Sequence, residues 1–366
     1  MKNNFKFIST LCVLLFLTCK EVTKTKAKTN TSGKPLELKY AQGFTATTYD
    51  THTVIEIKNP WPNTDKTYTH EFSNDDLPLH KIVVTSTTHI SALELLGAEQ
   101  TLIGFPGTDY ISSESIRQYI DKGKVRELGK NEGINTEVLL ELQPDIVVGF
   151  GVDGTNKTFN TIKKAGIPVI YNGDWVETTV LAKAEWIKFF GVLFDKQKEA
   201  DSIFNRIEAD YLDAKTLAKS ISKQPTVLCG AMHKDVWYLP SGTSAEAQFL
   251  KDANVNYLWQ DTAAKGSLSL SFETVFEKGR HADLWFSPSY YTSLEALRNS
   301  NHHYTKFEAF ENKSIFSFSN TIGATGGVLY YEQGSARPDL VLKDIIKICH
   351  PNLLENYQPY FFKRLK

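Results

Sequence analysis

The side chains best suited to binding or catalysis follow the predicted strands of two α/β segments. Open α/β sheets bind ligands at the carboxyl ends of their strands, so these side chains predict a cleft. Aromatic rings there would wall a flat or bulky ligand, although each ring could instead belong to the core. The candidates of the first segment are Thr87, His89, Phe105, Tyr110 and Trp175. Those of the second segment are His233, Trp237, Tyr238, Tyr290 and Tyr291.

The roles of four polar side chains near this predicted cleft are open. His89 and His233 could be metal ligands, or they could fill ordinary polar and helix-capping roles. Glu332 and Arg337 bracket a glycine-rich turn, where an arginine would suit an anionic ligand. A structural ion pair would explain the same arginine.

Signatures of catalysis are missing from the sequence. It contains no G-x-S-x-G elbow, Walker loop, H-E-x-x-H pair or dinucleotide fingerprint, and its carboxylates are scattered. We therefore expect a binding protein without a cofactor rather than an enzyme. An exported hydrolase, with a site assembled only in the fold, stays open as an alternative.

Length and composition indicate a globular protein with two substantial domains. The chain has 366 residues, of which 41% are hydrophobic and 23% charged. The formal net charge of −1 provides no basic field for nucleic acid.

The first 19 residues have the pattern of an export signal that ends in a cysteine. Lys2 and Lys6 precede the apolar run Phe7–Thr18, which is too short to span a bilayer. Phe16-Leu17-Thr18-Cys19 resembles a bacterial lipobox, which predicts lipidation of Cys19. A plain signal with an incidental cysteine is the alternative. We expect an exported protein anchored only by lipid to a bacterial membrane, in the periplasm or at the cell surface. Cys229 and Cys349 lie in apolar runs and predict buried thiols, although a disulfide stays open.

The hydrophobic pattern divides the rest of the chain into five parts. A 3.6-residue apolar period over residues 196–221 predicts one long helix that braces two lobes. Strand–helix alternation on both sides of it predicts an α/β fold with two Rossmann-like lobes. The predicted parts are a flexible tether at 20–36, β-strands at 37–80 that pack on the first lobe, a first lobe at 81–180, connecting helices at 181–223 and a second lobe at 224–366.

Two blocks of the sequence resemble the cobalamin- and siderophore-binding proteins of ABC importers. Residues 81–104 (KIVVTSTTHISALELLGAEQTLIG) resemble the opening strand–turn–helix–strand of that family. Gly133, Asn135, Glu137 and Pro144-Asp145 match its "G…N.E.ILALKPDLVI" block. The run Arg337-Pro338-Asp339, with its following helix, looks like the iron-complex branch.

The resemblance implies a class III periplasmic-binding-protein fold and a monomer. It further implies that an iron chelate (ferric siderophore or haem) or cobalamin is captured between the lobes and handed to an ABC permease. Free-metal relatives use several His and Asp/Glu ligands, a constellation not evident here, so no metal site is predicted. The family docks on its permease through one glutamate per lobe. Ser91 and Gln248 occupy the matching positions, and Glu94 and Glu246 are the nearby substitutes. Capture of a chelate without a dedicated permease is the alternative function.

Overall fold

An antiparallel sheet precedes the first lobe in this computed structural model, which describes residues 32–154, 156–264 and 266–366. Alternate side chains of its third strand, including Ile55 and Ile57, are buried and join the core of the first lobe. The four strands, in spatial order, are β1 (Lys34–Pro35), β2 (Phe44–Thr48), β3 (His52–Lys58) and β4 (Thr67–Ser73). Cys19 and most of the predicted tether lie outside the described residues.

The predicted tether extends too far at its carboxyl end. Lys34 and Pro35 pair with Thr48 and Thr47 of β2, and the amide of Leu36 donates to the carbonyl of Ala46. These backbone hydrogen bonds order residues that were assigned to the tether for their polar composition. A two-residue edge strand has too few side chains to show a period in the sequence.

The first lobe is a parallel sheet with helices in its crossovers. The strands have the order β11-β10-β5-β6-β7, and the buried run Ile146–Gly149 forms the interior strand β10. Its strands are β5 (Ile82–Val84), β6 (Leu102–Phe105), β7 (Arg126–Glu127), the short antiparallel pair β8 (Gly129–Lys130) and β9 (Gly133–Ile134), β10, and β11 (Val169–Tyr171). Its helices are α1 (Thr87–Leu95), α2 (Glu114–Asp121), α3 (Thr136–Leu142) and α4 (Lys157–Lys164).

Three helices connect the lobes, and the longest contributes to both cores. They are α5 (Val180–Glu185), α6 (Ile187–Leu193) and α7 (Gln197–Lys219). Ala200 and Phe204 of α7 are buried in the first core, whereas Tyr211, Ala214 and Ala218 are buried in the second. With 23 residues, α7 is about 35 Å long, which is enough to brace both lobes.

The second lobe repeats the α/β plan around its own apolar core. Its main sheet has the order β15-β12-β17-β18-β19, in which only the last strand is antiparallel. A smaller antiparallel sheet has the order β13-β14-β16. The strands are β12 (Thr226–Cys229), β13 (Ala231–His233), β14 (Val236–Pro240), β15 (Asn256–Tyr257), β16 (Ser267–Leu270), β17 (Leu284–Phe286), β18 (Ile315–Ser317) and β19 (Lys363–Arg364). The helices are α8 (Ala245–Asp252), α9 (Phe272–Gly279), α10 (Leu294–Ser300), α11 (Glu308–Glu311), α12 (Leu329–Gln333) and α13 (Pro338–Cys349).

This architecture confirms the predicted α/β class with a parallel sheet in each lobe. The two buried cores meet at the connecting helices, and both sheets direct their strand ends toward loops that carry polar and aromatic side chains. Cys229 and Cys349 are free thiols in the structure, and Cys229 is buried, as their apolar neighbours predict.

Candidate binding site

A cavity of about 410 Å³ lies at the carboxyl ends of the second-lobe strands. The ends of β12 and β17 contribute Cys229, Gly230, Phe286 and Ser287, and Phe318 follows β18. The smaller sheet and α8 close it with further apolar side chains. Its volume falls in the range of about 300–1,000 Å³ that is usual for small-molecule sites.

Aromatic rings pack against one another to form one wall of this cavity. Phe318 stacks on Tyr330 with ring centroids 4.3 Å apart and planes 5° apart. Tyr331 meets Phe318 edge to face at 5.3 Å, and Phe362 lies 5.7 Å from Phe318. Mutual packing fixes these rings, so the wall is formed before a ligand arrives.

A second cavity, of about 200 Å³, joins the first lobe to this wall. Glu246, Phe249, Tyr330 and Tyr331 line both cavities, which are therefore adjacent. The first lobe adds Thr88 from the first turn of α1, and α5 adds Val180 and Lys183. The combined site lies between the lobes.

Polar side chains on the first-lobe side keep unused hydrogen-bonding atoms. Asn172 and Asp174 follow β11 and are 1% and 6% exposed, and Asn172 Nδ2 and Asp174 Oδ1 have no partner. Trp175 Nε1 likewise has no hydrogen-bond partner. Lys183 Nζ donates to the carbonyl of Trp175 at 2.8 Å. Burial raises the pKa of Asp174, while the Thr88 hydroxyl and the charge of Lys183 oppose that rise.

Residues 318–337, which we call the crossover segment, reach from the second lobe onto the first. Thr325 Oγ1 donates to the carbonyl of Asp109 at 2.8 Å, and Ser91 Oγ donates to the carbonyl of Glu332 at 2.9 Å. A Cβ atom on Gly323 would come within 2.7 Å of Ser112 Cα, so the two backbones touch. The crossover segment therefore carries the aromatic wall and fixes it to the other lobe.

Glu332 lies at the centre of that contact. It is 1% exposed, and its Oε2 accepts from the amide of Ser112 at 2.6 Å while Oε1 has no partner. Burial and the nearby charge of Glu94 raise the pKa of Glu332 to about 7. Glu332 joins the lobes and does not line either cavity, which corrects its predicted role in ligand binding.

Two predicted cleft aromatics are core residues instead. Trp237 is fully buried, stacks on Trp285 at 5.5 Å, and donates from Nε1 to the carbonyl of Cys229. Phe105 is 2% exposed in the first core. The prediction that these two rings contact ligand is wrong, because side chains alternate along a strand and theirs point into the lobe.

Neither predicted histidine lines the site. His89 is 1% exposed beside Phe190, and burial lowers its pKa to about 3, so it is a neutral core residue. His233 is exposed at the hairpin between β13 and β14. Within the described ranges, no group of three His, Cys, Asp or Glu residues could hold a metal ion.

Three charged residues with predicted binding or docking roles have defined surroundings in the structure. Arg337 binds the fully buried Asp339 through two hydrogen bonds of 2.9 and 2.8 Å, which is the structural ion pair that the sequence left open. Glu94 accepts from the hydroxyls of Ser113 and Ser115, so part of its carboxylate is bound within the first lobe. Glu246 is exposed and lines both cavities, which places it at the candidate site. The docking role of these two glutamates stays a prediction.

The remaining predicted residues surround the site at varying distance. Tyr238 lines the larger cavity and is 44% exposed. Tyr290 reaches the aromatic wall, with its ring 6.3 Å from that of Tyr331. Thr87 begins α1 next to Thr88, whereas Tyr291 packs against the second core. Tyr110 is exposed where the crossover segment meets the first lobe.

The sequence analysis missed most of the wall. The lining residues that it did not single out include Lys183, Phe249, Phe318, Tyr330, Tyr331 and Phe362. The doublet Tyr330-Tyr331, next to the glycine-rich turn, was a usable signal, since two consecutive large aromatics in an irregular segment seldom both reach a core.

Comparisons with known proteins place the chain in a family. A family model described as "Periplasmic binding protein" matches residues 82–320. An uncharacterised lipoprotein of Methanocaldococcus jannaschii is 26% identical over 295 residues, which is 78% of this chain and 69% of the relative.

Two solved structures have a similar fold. A periplasmic solute-binding protein of Staphylococcus epidermidis, described as a possible iron-binding protein, superposes with a TM-score of 0.56 and 17% identity, covering 75% of this chain and 99% of that one. A protein of an Fe³⁺-hydroxamate transport system of Saccharomonospora viridis gives 0.55 and 17%, covering 80% and 98%. Among the residues that the structure describes, no helix has the length and apolarity to cross a membrane. The predicted resemblance is confirmed: the chain belongs to the periplasmic binding protein family.

Proposed function

We propose that this protein is the solute-binding lipoprotein of an ABC importer for an iron chelate or a cobalamin-type ligand. It captures the ligand between its lobes and delivers it to a membrane permease. The observation that carries the proposal is the aromatic cavity at the carboxyl ends of the second-lobe strands, which adjoins the first lobe at Thr88 and the connecting helix α5 at Lys183.

The chemistry of the cavity suits a bulky ligand with apolar faces. Tyr238, Tyr330 and Tyr331 offer ring faces and hydroxyls, and Phe249 and Phe318 offer apolar surface. Rings of this kind contact a macrocycle or a chelate backbone and exclude water from it. Asn172 and Asp174 line neither cavity, so we assign their unpaired buried atoms no contact with the ligand.

The relatives agree with this ligand class. Two solved neighbours are described in terms of iron binding and Fe³⁺-hydroxamate transport, and one relative is named a lipoprotein. These descriptions belong to those proteins, and they support the proposal for this chain through the shared family.

Calorimetric titration of the protein lacking residues 1–19 tests ligand capture. Ferric siderophores, haem and cyanocobalamin are the probes, and we expect one class to saturate a single site. Tyr331→Ala and Tyr238→Ala should each weaken that binding by roughly 1–3 kcal/mol, because each removes a large apolar contact. Leu212→Ala removes an exposed side chain of α7 and should leave affinity unchanged. Failure of all three classes to bind would contradict the proposal.

Anchoring and delivery are tested in cells. A palmitate analogue should label the wild type and Cys349→Ser but not Cys19→Ser, and equal labelling of all three would refute lipidation at Cys19. Deletion of the permease should abolish uptake of the bound chelate. Uptake that survives this deletion would favour capture without a dedicated permease.

A further inference from the structure

Few charged side chains line the two cavities, and they differ in how free they are to contact a ligand. Among the described residues, Glu246 and Lys183 are the charged groups of the lining, and no arginine contributes to it. An anionic ligand is usually held by arginine or lysine, because their charge offsets the loss of water around the anion. The charge that a ligand meets therefore depends on the hydrogen bonds and ion pairs that these two groups already make within the protein.

Lys183 is already engaged by the first lobe. Its Nζ donates to the carbonyl of Trp175 at 2.8 Å, and its positive charge acts on the buried carboxyl of Asp174. A lysine so placed is a poor partner for an incoming anion, since a ligand must compete with two groups of the protein.

Glu246 is exposed and forms no ion pair within the described residues, although Lys183 lines the smaller cavity with it. It lies in the first turn of α8 and lines both cavities. Its negative charge acts across the cavity, where it adds to the effect of burial in raising the pKa of Tyr330 and Tyr331. The aromatic wall therefore has one carboxylate beside it, which can pair with a positively charged group of the ligand.

We propose that this site selects chelates with no net negative charge, and that Glu246 sets the preference. The inference rests on the proposed function and names its substrate class: an uncharged or cationic metal chelate with an apolar periphery. An anionic chelate would lose its water beside a carboxylate of the same sign, whereas a cationic group would gain Glu246 as a partner.

The test compares probes of different charge on one protein. Ferrioxamine B carries a free ammonium group, ferrichrome and cyanocobalamin are uncharged, and ferric enterobactin and haemin are anionic. We expect a probe from the first two groups to bind at least about 100-fold more tightly than either anion, a difference of about 3 kcal/mol. Titration at low and at physiological salt should show a larger ratio at low salt, because charges at an open cavity are screened by ions.

Substitutions of Glu246 separate charge selection from shape. Glu246→Gln should reduce the affinity ratio of ferrioxamine B to ferrichrome by about tenfold, or about 1.4 kcal/mol, and Glu246→Lys should invert it. Glu273→Gln, on the exposed first turn of α9, is the matched control and should leave the ratio as in the wild type. Thermal unfolding of each variant confirms that the fold is kept.

Two results would overturn the inference while leaving the proposed function in place. One is tightest binding of ferric enterobactin or haemin by the wild type. The other is an unchanged ferrioxamine-to-ferrichrome ratio in both Glu246 variants. Absence of binding for every probe would instead contradict the proposed function.

Discussion

Removal of one buried charge at the contact between the lobes should stabilise the protein above neutral pH. Burial, followed by the charge of Glu94, raises the pKa of Glu332 to about 7 from an ordinary value of 4.5. At a pH between these two values, Glu332 therefore keeps its proton in the folded protein and has lost it in the unfolded chain. Stability must fall as the pH rises through this window, and the whole penalty is present above pH 7.

The size of the effect follows from the two pKa values. Each pKa unit corresponds to about 1.4 kcal/mol, so ionisation of Glu332 costs up to about 3 kcal/mol at pH 8. Glu332→Gln keeps an oxygen for the amide of Ser112 and carries no charge at any pH. We expect it to be about 1–3 kcal/mol more stable than the wild type at pH 8, and equal to it within error at pH 4.5.

Urea unfolding of both proteins at pH 4.5, 6, 7 and 8 measures this difference. The comparison cancels the titration of His70, whose burial lowers its pKa to about 4, and of other groups common to both proteins. Glu277→Gln, at an exposed position of α9, should show the wild-type pH dependence. A constant difference between wild type and Glu332→Gln across the four pH values would refute the electrostatic account of this contact.

Other substitutions test the packing of the second lobe and of the crossover segment. Asp344 is fully buried and accepts from the amides of residues 360, 361 and 362. Asp344→Asn should therefore lower the free energy of unfolding, measured in urea, by roughly 2–4 kcal/mol. Asp261→Asn, at an exposed position, is the control and should leave it unchanged. Gly327→Ala should destabilise the protein and raise protease cleavage within residues 318–337, because its Cβ would overlap the carbonyl oxygen of Tyr110, while Gly133→Ala has open space and serves as control. Trp237→Ala should cost about 3–5 kcal/mol in thermal or urea unfolding, and a change below 1 kcal/mol would contradict its place in the core.

The long helix shows what a periodic pattern can predict. Residues 196–221 were expected to form one helix, and α7 spans Gln197–Lys219. Its buried positions, from Ala200 to Ala218, recur at the helical period over about five turns, and a pattern this long outweighs local exceptions. The pattern predicts the two ends of the helix less precisely, because each end depends on only one or two capping residues.

Neighbouring residues of one strand show where the sequence was insufficient. Trp237 and Tyr238 were predicted alike, yet one ring is in the core and the other lines the cavity. Because side chains alternate along a strand, these two rings must point to opposite faces of the sheet. Which ring points into the core depends on which face the rest of the second lobe covers. That choice is made by long-range packing of α9 and of residues 302–307, which no local pattern encodes.

The aromatic wall was missed for a related reason. Tyr330 and Tyr331 belong to the five-residue helix α12 inside the crossover segment, which is too short to show a period. Their position depends on hydrogen bonds to Ser91, Asp109 and Ser112, more than two hundred residues away in sequence.

The docked crossover segment has a consequence for the kinetics of ligand exchange. This segment carries Tyr330 and Tyr331, which line both cavities, and hydrogen bonds hold it to the first lobe. We expect a bound ligand to leave chiefly while the segment is undocked from the first lobe. Its residence time then scales inversely with the fraction of molecules in the undocked state. A permease that pulls the crossover segment from the first lobe would thus release the cargo without competing for a single ligand contact.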